Sequence, residues 1–99
     1  MSDDFLALPA FKPDEALQQL KRSLRDLRTL AERGNGFELK GQPVITLVAG
    51  EQAIEATLAK RPSRSSVDWD RFTLATSPDV RKFGDEVKRR LARWTEEER

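Results

Sequence analysis

Carboxylates sit close together at Asp3/Asp4, Asp14/Glu15, Asp68/Asp70, Asp85/Glu86 and Glu96–Glu98. Paired carboxylates can pass a proton, or hold Mg²⁺ or Ca²⁺. Asp68 and Asp70 would share one face of an extended strand, because successive side chains alternate there. The calcium-loop pattern, with acids at alternating positions around a glycine, is missing. Helix caps and surface positions account for all of these pairs.

The rest of the catalytic repertoire is thin. The chain contains no His, no Cys and no Tyr. The commonest general base and transition-metal ligand is therefore absent, and so are disulfides, thiolate sites and redox thiols. Ser63, Ser65 and Ser66 have no imidazole to activate them. Gly34-Asn35-Gly36 resembles a phosphate loop only in composition. It follows a helical pattern rather than feeding a helix N-terminus, where free N–H groups bind anions, and it lacks the lysine. Turn chemistry is the reading for that segment. The expectation is a non-enzymatic chain with no cofactor and no metal site.

Cations offer the other chemistry. Asp79 to Trp94, DVRKFGDEVKRRLARW, carries six basic side chains and two aromatics. Lys60-Arg61-Pro62-Ser63-Arg64 adds three more positive charges in a segment that reads as a loop. Lys82, Arg89 and Arg93, with Arg61 and Arg64, are the candidate contacts for an anion or a nucleic acid. The chain as a whole argues against a strong field: 18 basic and 17 acidic residues leave a net charge of +1. Only a segregated basic face would serve nucleic acid.

Helical spacing separates the two signals in the 79–94 stretch. At 100° per residue, Val80, Phe83, Gly84, Val87, Leu91 and Trp94 fall on one stripe. Both aromatics then face the core rather than stacking on exposed bases. Asp85 is placed to meet Arg89, and Glu86 to meet Arg90, at i,i+4 with the acid first, which is the favourable order, and Arg81 can also reach Asp85. Gly84 on the buried stripe predicts close approach of a neighbouring backbone or a bulky side chain such as Trp69. Ser77, Pro78 and Asp79 read as N-cap, first and second helical residues.

An earlier helix is predicted to start at Pro13, with Asp14 and Glu15 against its positive end. Leu17, Leu20, Leu24, Leu27 and Ala31 repeat at alternating spacings of three and four, and Leu30 widens the stripe. Gly34 is read as its left-handed C-cap. Lys21, Arg22, Arg25, Arg28 and Arg33, against Asp26 and Glu32, make it mildly basic.

Between the helices the chain reads as strands. Phe37–Lys40 alternates apolar and polar. Pro43–Ala49 is β-branched and apolar, with proline at its start. Gly41-Gln42 and Gly50–Gln52 suit turns. Residues 53–61 fit both a helical and a strand period, and the short preceding turn favours a hairpin. Trp69, Phe72 and Leu74 mark a further strand after the 61–68 loop.

The expected architecture is one α+β domain over residues 1–99. A small antiparallel meander of three to four strands is flanked by an N-terminal and a C-terminal helix, both on one face. Residues 1–12 read as an N-terminal arm docked through Phe5, Leu6, Leu8 and Phe11, or as a short motif for a partner. Residues 95–99 read as a frayed polar tail. No run approaches the roughly 18–20 apolar residues of a membrane span, and the N-terminus lacks a signal-peptide pattern. A cytoplasmic location and no membrane partner are expected. The functional expectation is a small interaction module that binds a protein partner or forms a homodimer. The alternative is a nucleic-acid-binding accessory domain that uses the cations named above.

Overall fold

A computed structural model of the chain describes residues 11–63 and 65–97, with backbone alone for Glu97. Residues 1–10, which hold most of the expected N-terminal arm, lie outside the described residues, as do Arg64 and residues 98–99. In chain order the elements are α1 (Pro13–Arg25), β1 (Leu30–Arg33), β2 (Gly36–Leu39), β3 (Gln42–Ala49), β4 (Ile54–Ala59), β5 (Trp69–Leu74) and α2 (Ser77–Glu97). The class is α+β, as expected. The sheet has five strands in the order β1-β2-β3-β4-β5, and every neighbouring pair is antiparallel.

The fifth strand corrects the three-to-four-strand expectation, and it comes out of the first helix. That helix ends at Arg25, not near Gly34. Two successive tight turns follow, Leu27 N–H to the Leu24 carbonyl at 3.0 Å and Leu30 N–H to the Leu27 carbonyl at 2.9 Å. Spacing by three keeps all three leucines inward in a run of i→i−3 turns as well as in a helix. Leu30 then opens β1 opposite Leu39 and is buried there. Gly34 does take a positive φ of 59°, but in the two-residue loop between Arg33 and Gly36 rather than at a helix C-cap. The next hairpin turns through Lys40 and Gly41, both at positive φ, as a type I′ loop requires. Residues 54–59 are strand, which resolves the ambiguous segment toward the hairpin.

One sheet face carries the core. Ile45 pairs with Leu58 and Leu47 with Ala56, and all four side chains are buried. Leu20 and Leu24 of α1, and Phe83, Val87, Leu91 and Trp94 of α2, complete it. Helix α1 packs on β1 and β3, α2 packs on β5, and the helices touch one another. The opposite face is polar: Thr46 and Thr57 share a hydroxyl–hydroxyl bond, and Thr73 donates to Glu55 at 3.2 Å. Helix α2 continues to Glu97, into the segment read as polar tail. Thr95 Oγ1 donates there to the Leu91 carbonyl at 2.9 Å.

Candidate binding groove along the sheet edge

Strand β5 is an edge: β4 flanks one side, and among the described residues no strand flanks the other. Helix α2 returns beside it in the opposite direction, fastened at three levels. At the turn between them, Asp79 Oδ2 accepts from Ala75 N–H at 3.0 Å and Thr76 N–H at 3.2 Å. Asp79 N–H in turn donates to Thr76 Oγ1 at 3.2 Å. This reciprocal pair is a capping box with Thr76 as the N-cap, one residue earlier than the Ser77 read from sequence. The Ala75 amide, helped by Thr76 and by the nearby Lys82 charge, holds the Asp79 carboxyl below its ordinary value.

Further along, Arg90 is the central fastener. Its Nη2 lies 2.8 Å from Asp70 of β5, its Nη1 donates to the Ala59 carbonyl at 3.0 Å, and its Nε donates to Glu86 at 2.8 Å. Lys60 also pairs with Asp70, at 3.7 Å. At the far end, Trp94 Nε1 donates to the Lys60 carbonyl at 3.3 Å, so the aromatic ring is buried while its polar edge is satisfied.

Between these fasteners lies a groove of about 610 Å³. Phe72 and Phe83 meet at its base edge to face, with ring centroids 5.2 Å apart and planes at 69°. Arg71, Lys82 and Arg89 line it together with the acids Asp79, Asp85 and Glu86. Phe83 is buried, whereas Phe72 keeps partial exposure.

The structure thus brings Lys82 and Arg89 to one groove. Arg93 is exposed one turn beyond Arg89 on α2, and Arg61 is exposed in the loop that Trp94 tethers. Arg64 lies outside the described residues. The acids do not divide as spacing implied. Glu86 engages both Arg89 and Arg90, and Asp85 forms no ion pair among the described residues. An arginine three or four residues after a carboxylate is equally reachable on a helix, and Glu86 is the acid engaged by Arg90, which also binds Asp70 of β5. Sequence reading did not find Arg71 and Phe72 as groove residues, because nothing local marks β5 as an edge.

Gly84 also departs from expectation. A Cβ placed there meets nothing within 4 Å among the described residues, so neither Trp69 nor a neighbouring backbone among them demands glycine. Among the described residues no three acidic side chains gather as a metal site would need, and no helix is long and apolar enough to cross a membrane. No family model, curated protein or solved structure matches this chain.

Proposed function

We propose that this chain is a small non-catalytic interaction module that receives an extended segment of a protein partner, or of a second copy of itself, along the outer edge of β5. The observation that carries this reading is the pairing of an open strand edge with a helix-walled groove beside it. An edge strand offers a row of backbone N–H and C=O groups, which give an added strand its affinity. Alternate side chains of that strand would enter the groove over Phe72, between cations (Arg71, Lys82, Arg89) and acids (Asp79, Asp85, Glu86) that can pair with polar residues of either charge. A cytoplasmic location belongs to the same proposal, and the absence of cysteine agrees with it.

The test is a displayed library of extended peptides, with binders mapped by amide chemical shifts. Binding should move β5 amides and those of Lys82 to Arg89. Binders that map elsewhere, or a library that yields none, together with a monomer at all concentrations in light scattering, would refute the reading.

Nucleic-acid binding is the second reading. In its favour, Arg90 and Trp94 tie the 59–60 carbonyls to α2, which brings Arg61 to the end of the helix that carries Lys82, Arg89 and Arg93. It requires binding to DNA or RNA at about 50 mM salt that weakens steeply as salt rises. No binding under those conditions removes it.

A further inference from the structure

We propose that a second groove, between α1 and α2, seats this chain's own N-terminal segment, the ten residues before Phe11, through Phe5, Leu6 and Leu8. The inference concerns a different surface from the β5 edge and does not depend on it.

The groove measures about 420 Å³. Leu20 and Leu24 form its floor, and Leu27, Val80 and Gly84 its walls. Gly84 lies on the stripe of α2 that otherwise faces core, yet the space above it is open. A recess with a leucine floor, polar and charged sides and a glycine in its wall is shaped to admit an amphipathic segment.

Three observations point to the occupant. The first is where the preceding chain joins. Phe11 packs against the core and α1 begins at Pro13. Ala16 of α1 and Ser77 of α2 line the groove, so it opens close to the start of both helices, where the ten residues attach. The second is length. Ten extended residues reach ~33 Å, whereas the α1 wall from Ala16 to Leu24 rises only ~12 Å. The segment can therefore reverse direction and still fill the groove. The third is chemistry. Phe5, Leu6 and Leu8 suit an apolar floor, and Asp3 and Asp4 suit a basic rim. That rim is net positive, with Arg81 and Lys88 against one acid, Asp85, and neither cation has an ion-pair partner among the described residues.

The experiment uses the full chain. Because it contains no cysteine, Ser2→Cys provides a single attachment point for a nitroxide. With the label oxidised, the amide signals of Leu20, Leu27, Val80 and Gly84 should lose most of their intensity, and reduction should restore it. Val48, on the opposite sheet face, should keep its signal. In a mixture of isotope-labelled chain without nitroxide and unlabelled chain with it, no loss should appear. Full intensity at the groove would overturn the proposal. So would a loss confined to the mixture, which would assign the groove to a second copy's segment. Phe5→Ser with Leu8→Ser, introduced into the Ser2→Cys chain, leaves the helices and sheet untouched and should abolish the loss. Its persistence would equally overturn the assignment.

Discussion

Arg90 Nη2 stands 2.8 Å from the Asp70 carboxylate, and the same guanidinium also serves Glu86 and the Ala59 carbonyl. One side chain thus joins the last helix to two strands and fixes the width of the groove beside β5. Its partial burial, 12% side-chain exposure, shields these bonds from water. Replacing Arg90 takes the side-chain donor from the Ala59 carbonyl and leaves Asp70 with Lys60 alone and Glu86 with the exposed Arg89 alone.

Arg90→Met should therefore lower stability by about 2–3 kcal/mol, the scale of hydrogen bonds to charged groups whose partner is lost. Urea titration reads this as a lower midpoint at unchanged slope. Arg89 shares Glu86 but is 63% exposed. Arg89→Ala should cost less than about 0.5 kcal/mol. Equal losses for the two variants would contradict the fastening role given to Arg90.

The Thr76–Asp79 box predicts a pH dependence. The Asp79 carboxyl sits lower when folded than its ordinary 3.8, first because the Ala75 amide donates to the charged form. The folded state therefore binds this proton less readily than the unfolded chain. The stabilisation is present above the ordinary value and is lost as pH falls through the folded-state value. Asp79→Asn should destabilise near neutral pH, and the gap from the parent chain should close in acid. A gap that stays constant down to about pH 2 would disprove the linkage.

Thr76→Ala removes the hydroxyl that accepts from Asp79 N–H. The expected cost is about 1 kcal/mol, which lowers Tm by about 4–8 °C in a domain of this size. Ser77→Ala, at the position first read as the cap, should change Tm far less. Calorimetry on the two variants distinguishes the registers.

Two glycines should respond in opposite directions. Gly84 lies mid-helix and its Cβ position is clear of the described residues, so Gly84→Ala should gain up to about 1 kcal/mol from helix propensity in the Phe5→Ser, Leu8→Ser chain, and less where the N-terminal segment fills the groove. At Gly36 a Cβ would run into the Ile45 carbonyl on the neighbouring strand. Gly36→Ala must push β2 from β3 and should destabilise markedly. Thermal melts of both variants check the pair.

Much of the fold was legible because it is written in short-range patterns. The β-branched run 43–49 became β3, and Ile54, Ala56 and Leu58 became the inward row of β4. The stripe Val80, Phe83, Val87, Leu91 and Trp94 took its place on α2 against the sheet. The end of α1 was not legible. Leu24, Leu27 and Leu30 satisfy a helical stripe and a pair of tight turns equally well, and pairing of β1 with β2 decides between them. The candidate groove was half legible. Charge and spacing single out Lys82 and Arg89 only as candidate anion contacts; that they share a groove with Arg71 and Phe72 depends on β5 ending the sheet.

Sequence alone determined which functional groups the chain can bring to any site, because folding cannot supply an imidazole, a thiol or a phenol that the chain lacks. It also determined which residues of each regular segment turn inward, because the 3.6- and 2-residue periods are local. Tertiary structure decided the rest. Glu86 rather than Asp85 holds Arg89, Arg90 reaches Asp70, and Gly84 opens on a groove instead of a neighbour. Each of these depends on how far apart two elements come to rest, a distance set by packing across the whole sheet and not by any spacing along the chain.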